Sequence, residues 1–253
     1  MKILDNEEYV ITIIMAAGKG TRMKSNKSKL VHKIYGKELV KRVAELAYKI
    51  GSDDVVAVVG HMREQVQEVL GDSVKYAYQD ELLGTGHAVM QAAPFLEGKK
   101  GKVVVLYGDV PIIRPETLKK LIEKSVTSKE YATLLTAIYE NPTGYGRIIK
   151  DNWGKFVKIV EQKDATLEEQ RVDEINSGIY VFDSAILSKA LGKLTNDNVQ
   201  GEYYLTDTIE IVKSEGLGEV ATMIVSDDNE IKGVNSPEQL EEAEEILKAR
   251  QSK

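Results

Sequence analysis

The sequence predicts an α/β fold: a mixed, mostly parallel sheet with helices on both faces. Three observations carry this reading. Short β-branched runs recur between segments of helical periodicity over the first half, the pattern turns to closely spaced strands after about residue 130, and no internal repeat or linker divides the chain. The first-half strands are expected at Val10 to Met15, Val55 to Val59, Val74 to Tyr78 and Val103 to Tyr107. Between the first two, Val40, Val43, Ala44, Leu46 and Ala47 recur at helical spacing and Gly51 offers a C-terminal cap, so a helix is expected over about 39–50. Further helices fit Arg63 to Leu70, Gly86 to Ala93 and Pro115 to Lys124, giving a β-α-β-α-β-α-β order. Antiparallel or mixed additions follow at Thr133 to Tyr139, Arg147 to Lys150, Lys155 to Val160 and Ser177 to Phe182, with a hairpin turn at Asn152-Trp153-Gly154. Helices return at Ser184 to Leu191 and Leu205 to Val212. A last helix over 237–250 is announced by Ser236-Pro237-Glu238-Gln239, which supplies a cap, a proline at the first helical position and the return partner of a capping box.

The chain of 253 residues is long enough to bury a substantial core and is read as one domain over 1–253, with a core over 9–236. Its 34 Lys and Arg against 40 Asp and Glu give a net charge of -6, so no global field favours nucleic acid or an anionic membrane. Zero cysteine excludes disulfides, thiolate metal sites and thiol nucleophiles. No apolar stretch approaches the ~20 residues that span a bilayer, and the N-terminus lacks a secretory pattern; a soluble, cytoplasmic protein is expected.

Chemistry concentrates where the first strand ends. Ala16, Ala17, Gly18, Lys19 and Gly20 lead into Thr21-Arg22-Met23, and small residues there let backbone N–H groups approach a phosphate. The spacing is not that of a Walker A loop, and Met23 stands where a dinucleotide fingerprint needs glycine. Lys19, Arg22, Lys24, Lys27 and Lys29 crowd this segment of an acidic protein; composition alone leaves a solvated basic loop as the alternative.

Eight runs decide between them. AAGKGTRM, followed by Lys29-Leu30-Val31-His32, precedes QDELLGTGHA (79–88), YGDVP (107–111), PTGYGR (142–147), VEQKDA (160–165), EINSG (174–178), QGEYYLTD (200–207) and GVN (233–235). In this order they resemble the sugar-nucleotide pyrophosphorylases, and among them the uridylyltransferase half of the bacterial bifunctional N-acetylglucosamine-1-phosphate uridylyltransferase/glucosamine-1-phosphate acetyltransferases. The resemblance covers roughly residues 9–250. Ser28 and Glu38 depart from it, since many members carry proline at both positions. The family's acetyltransferase half is a β-helix of hexapeptide repeats, which this chain lacks, so uridylyl transfer without acetyl transfer is expected.

The resemblance implies a Rossmann-like nucleotidyltransferase fold and the reaction of UTP with N-acetylglucosamine 1-phosphate. The products would be pyrophosphate and UDP-N-acetylglucosamine, a cell-wall and peptidoglycan precursor. In-line attack on the α-phosphorus needs two polyanions brought together and charge stabilised on the departing pyrophosphate. Arg22 suits the pyrophosphate, because a guanidinium grips phosphate oxygens bidentately, and Lys29 suits the transferred or attacking phosphate. Asp109 follows a strand at the carboxyl end of the sheet, where open α/β folds bind ligands, although a lone carboxylate there also serves as a turn cap. The resemblance pairs it with Asn235 as ligands of Mg2+. It also implies that Gln79, Gly84 and Thr85 read uracil, and that Tyr107, Gly146, Glu161, Asn176, Tyr204 and Thr206 meet substrate. His32, His61 and His87 show no metal-ligand spacing and are read as structural; Trp153 receives no role. Two other readings stay open: another hexose 1-phosphate as acceptor, or a binding module without turnover. Oligomeric state is not legible.

Overall fold

The structure is a computed structural model and describes residues 9–23, 25–128 and 130–251. Lys24, counted above in the basic segment, lies outside the described residues. The chain opens on strand β1 (Tyr9–Ala16), followed by the glycine-rich loop and two 3-10 turns, Thr21–Met23 and Lys29–Val31. A two-residue hairpin, β2 (Lys33–Ile34) with β3 (Lys37–Glu38), leads into helix α1 (Leu39–Lys49). Then come β4 (Asp54–Val59), α2 (Arg63–Leu70), β5 (Lys75–Tyr78), α3 (Thr85–Gln91), β6 (Gly101–Tyr107) and α4 (Pro115–Thr127). The second half holds β7 (Ala132–Ile138), β8 (Arg147–Lys150), β9 (Phe156–Val160), β10 (Glu174–Asp183), α5 (Ser184–Leu191), α6 (Asp207–Ser214), β11 (Val220–Ile224) and α7 (Pro237–Gln251).

The sheet has nine strands, ordered β11-β7-β10-β6-β1-β4-β5, with β8 and β9 continuing off β10. β1 lies between β4 and β6, parallel to both, so the chain runs outward to β5 and then returns across β1 to β6. That reversal is a topological switch point, where a crevice opens beyond the carboxyl ends of the strands. The glycine-rich loop leaves β1 on that side and Asp109 follows β6. The expected antiparallel second half is present: β10 pairs antiparallel with β6, β7 and β8, whereas β11 joins β7 in parallel.

Alternation along β1 divides the core. Val10 and Ile14 pack with Val43 of α1, Val66 of α2 and Leu121 of α4. Ile11 and Ile13 pack with Val89 of α3, Leu187 of α5 and Ile209 of α6. Successive side chains of a strand point to opposite faces, so one run of isoleucines and valines supplies both layers. α7 adds a third cluster through Ala243 against Ile34, Ile112 and Val234.

Most element ends shift by a few residues, two boundaries move for reasons visible in the structure, and two elements are new. β10 starts at Glu174, ahead of the expected Ser177, because the register shift between Asn176 and Tyr180 is a β-bulge that the strand continues through. Gly178 holds φ +78 there, and a Cβ on it would lie 2.6 Å from the Tyr107 ring. α6 starts at Asp207 because the residues before it are spent on α3: Gly86 N–H donates to the Tyr203 carbonyl at 2.7 Å and Leu205 N–H to Thr85 Oγ1 at 3.0 Å. β11 was not expected, since Val-Ala-Thr-Met-Ile is short and lacks alternation, and neither was the β2–β3 hairpin. The turn at 151–155 does form, held by the Asp151 carboxylate on the N–H groups of Trp153 and Lys155, and leaves Trp153 89% exposed.

Candidate active site

Beyond the carboxyl ends of β1 and β6 lies a crevice with two lobes. The smaller, about 330 Å3, runs between Ala17, Gly18, Gln79, Gly84 and Lys29. The larger, about 530 Å3, runs between Arg22, Gly146, Glu161, Asn176, Thr206 and Asn235. Thr85, Tyr107, Asp109 and Glu202 line both. Residues from both ends of the chain thus meet at the switch point, with Asp109 at the junction.

In the smaller lobe Gln79 is 3% exposed, and its Nε2 donates to the Gly84 carbonyl at 3.0 Å. That contact orients the amide, leaving Oε1 as its acceptor end. His87 is tied into the same group, Nδ1 lying 3.2 Å from Gln79 Nε2 and Nε2 3.1 Å from Gln91 Nε2. Gly84 itself is fixed by geometry: φ is +111, and a Cβ would lie 2.5 Å from the Tyr203 carbonyl oxygen. Gly84→Ala is therefore expected to displace the 203–205 segment, weakening binding of any ligand in this lobe at least ~10-fold and lowering Tm. Titration with nucleotide and a melting curve check both effects.

At the junction, Lys29 Nζ donates to Asn235 Oδ1 at 2.7 Å and forms an ion pair with Asp109 Oδ2. The partners come from three elements: the Lys29–Val31 turn, the end of β6 and the segment before α7. Each is held by its own hydrogen bonds, and the last two are also tied to each other. Ser28 Oγ accepts from Leu30 N–H, and Ser28 N–H donates to Gln65 Oε1 at 2.8 Å, a bond that proline at this position would forfeit. The Asp109 carbonyl accepts from Val234 N–H at 2.8 Å. Gln239 Oε1 accepts from Asn235 N–H at 2.8 Å while its own N–H meets Ser236 Oγ at 3.3 Å, so the capping box closes one residue earlier than the sequence suggests and anchors Asn235. Glu38, the other departure, pairs with Lys33 at 3.2 Å and lines neither lobe.

The larger lobe is walled by carboxyl and phenol groups. Glu161 Oε1 accepts from Thr206 Oγ1 at 3.1 Å, and burial, ahead of the charge of Asp164, pushes its pKa up. Asn176 Nδ2 donates to Tyr180 Oη at 2.6 Å and its Oδ1 accepts from Gly178 N–H at 3.2 Å. Burial raises the phenols of Tyr107 and Tyr180 far above their ordinary range. Tyr180, Glu202 and Gln239 line this lobe without any sequence signal beyond strand periodicity, a quoted run and a cap.

Not every anticipated residue is gathered here. Lys19 lines a neighbouring groove with His61, Met62 and Arg63. Ala16 is buried in β1, and Gly20, at φ +60, packs against the stem of Lys29. Arg22 is exposed at the rim, and among the described residues it has no ion-pair or hydrogen-bond partner.

Behind Glu161, Asp207 opens α6. A helix N-terminus favours a carboxylate, yet desolvation, ahead of Glu210, Glu161 and Asp164, pushes Asp207 up from 3.8 to about 6. The folded protein therefore binds more protons than the unfolded chain between these values, so stability falls as pH rises through that window and is level above it. Asp207→Asn should stabilise the fold at pH 7.5 by about 1 kcal/mol after discounting for partial exposure, raising Tm there, and change little at pH 4. Thermal melts at the two pH values test the sign.

Among the described residues no helix is long and apolar enough to cross a membrane. Comparison with known proteins bears on the fold and the family. A candidate glucose-1-phosphate thymidylyltransferase from Bacillus anthracis shares the fold, with a TM-score of 0.75 at 20% identity over 94% of each chain. The bifunctional protein GlmU of Caldanaerobacter subterraneus subsp. tengcongensis is 54% identical over 96% of this chain and 52% of its own length. GlmU of Clostridium novyi is 52% identical over 96% of this chain and 53% of its own. The chain thus spans about half the length of the curated relatives it matches. The family model for nucleotidyl transferases matches residues 11–228, from β1 through the whole of the sheet to the edge of the Asn235 segment, and the chain belongs to that family.

Proposed function

We propose that this chain transfers a uridylyl group from UTP to N-acetylglucosamine 1-phosphate, releasing pyrophosphate and UDP-N-acetylglucosamine. One observation carries the reading: the two lobes meet at a single point, where Lys29, Asp109 and Asn235 converge. A nucleotide in the smaller lobe and a sugar phosphate in the larger would place their phosphates there.

A divalent cation fits this point. The Lys29 ammonium already lies against both Asp109 and Asn235, so the donor pair accepts positive charge at that spot. Among the described residues no cluster of three or more carboxylate or imidazole groups offers an alternative. Two protein oxygens completed by phosphate and water suit Mg2+, which dehydrates reluctantly and demands oxygen donors. Mg2+ held by Asp109 and Asn235 would polarise phosphoryl oxygens and offset their charge.

The chain's own residues do the rest. Gln79 presents its amide Oε1 to the base edge, with Gly84 and Thr85 exposing backbone beside it, while Ala17 and Gly18 let N–H groups approach the phosphates. Tyr107, Gly146, Glu161, Asn176, Tyr204 and Thr206 orient the sugar hydroxyls and acetamido group. Lys29, drawn to phosphate, aligns the attacking or transferred group, and Arg22 meets the pyrophosphate. Lys19, in the adjoining groove, adds long-range attraction for polyanions.

Pyrophosphate release over a panel of nucleoside triphosphates and sugar 1-phosphates with Mg2+ tests the reading. UTP should exceed CTP, ATP and GTP by more than ~10-fold, because a wrong base leaves a buried amide unpaired at about 1–3 kcal/mol. Equal release from UTP and another triphosphate contradicts it.

A further inference from the structure

We propose that Arg147 is a positioning residue for the sugar lobe, acting through Gln162 on the 142–146 loop; this rests on the reading above. Arg147 is 1% exposed, and its guanidinium meets no carboxylate among the described residues. Nη1 donates to the Tyr145 carbonyl, Nη2 donates to Gln162 Oε1 at 2.7 Å and to the Gln170 carbonyl at 3.4 Å, and Nε has no partner. Gln162 Oε1 also accepts from Gly144 N–H at 3.1 Å. One buried cation and one amide oxygen thus fasten Gly144 and Tyr145 to the segment that follows β9.

Burying a guanidinium among neutral acceptors alone is unfavourable compared with an apolar side chain of similar volume. Its placement explains what it supplies instead. In β8, Arg147 pairs with Val160 of β9 and Ile175 of β10. The next residues along the chain are Glu161, just past the end of β9, and Asn176 of β10, and the Gly146 carbonyl accepts from Asn176 N–H at 2.8 Å. A Cβ on Gly146 would lie 3.5 Å from both Glu161 Oε2 and Asn176 Cβ, so Gly146, the residue before Arg147, lies within contact range of both. The planar fork of arginine reaches three segments at once; an ammonium on a flexible stem does not hold that geometry. The lining of the smaller lobe includes none of Gly146, Glu161, Gln162 and Asn176, so loss of the clamp falls mainly on one substrate.

The test is steady-state kinetics on the full chain, using UTP and whichever sugar 1-phosphate the wild-type protein accepts. Gln162→Ala is expected to raise KM for the sugar phosphate about tenfold while KM for UTP stays within about twofold. Gln162→Glu, which keeps the acceptor, should restore the wild-type value, and Arg147→Lys should shift KM in the same direction as Gln162→Ala. If Arg147→Lys fails to fold, the two Gln162 variants decide alone. Equal changes in both KM values, no change in either, or failure of Gln162→Glu to rescue overturns the proposal. A wild-type protein that accepts no sugar 1-phosphate overturns the functional reading and this inference with it, whereas normal turnover with an unmoved KM in Gln162→Ala overturns this inference only.

Discussion

Asp109→Asn should reduce uridylyl transfer by ~10²–10³-fold and shift the Mg2+ dependence of what remains to higher concentration, with partial recovery in Mn2+. A metal supplies several kcal/mol of charge stabilisation to a phosphoryl transfer, and each ~1.4 kcal/mol is a decade of rate. Asparagine keeps the size of the side chain but removes the charge that offsets the cation. The fold should survive, because Asp109 is tied to the 233–235 segment through its carbonyl and Val234 N–H, which the substitution leaves alone. A companion variant separates metal from phosphate roles. Lys29→Met removes the ammonium that lies against the same two oxygens, so nucleotide-free protein should bind Mn2+ more tightly, not less, even as turnover falls. Calorimetry on both variants reads the metal directly. A near-wild-type metal curve for Asp109→Asn would leave this carboxylate a turn cap, a role that Asn fills almost as well.

How much of this was legible in the sequence depends on range of contact. The parallel strands and crossover helices are written in local periodicity: β1, β4 and β6 are runs of β-branched residues buried on both sides, and such runs have few other uses. The late start of α6 is not local, since Tyr203 and Leu205 are claimed by Gly86 and Thr85, more than 100 positions earlier. The bulge at Gly178 is equally invisible, because its cause is the ring of Tyr107 on a neighbouring strand.

The site follows the same division. Lys29, Asp109 and Asn235 were named from short runs, and the structure brings them together. Gln239 carries a strong local signal, a capping box, and that signal concealed its contact with Asn235 one residue outside the box. Tyr180 reads as one more apolar strand residue, although its hydroxyl accepts from Asn176. Lys19 and Arg22 look equivalent in a basic loop. The turn at Thr21–Met23 separates them, sending Lys19 to the adjoining groove and Arg22 to the rim of the larger lobe.

That separation sets the expectation for Arg22→Ala: kcat should fall ~10²–10³-fold while KM for either substrate changes little. A guanidinium already engaged by a carboxylate would have to be released before meeting substrate, at the expense of part of its effect. Arg22 has no such partner among the described residues and stands exposed on the lining of the larger lobe, so its charge is free to meet a departing pyrophosphate. Negative charge grows on the departing group as the bond to the α-phosphorus breaks, and an interaction that strengthens only then appears in kcat. Loss of one preorganised contact of this kind costs about 3–4 kcal/mol. Arg22→Lys should recover only part of the loss, since a point charge replaces a bidentate fork. Because the side chain is solvent-exposed, neither variant should move Tm by more than a degree or two. Steady-state kinetics with both substrates varied reads the split. Unchanged kcat with a raised KM would assign Arg22 to gathering polyanions, the part proposed here for Lys19, and would require another group to receive the charge of the leaving pyrophosphate.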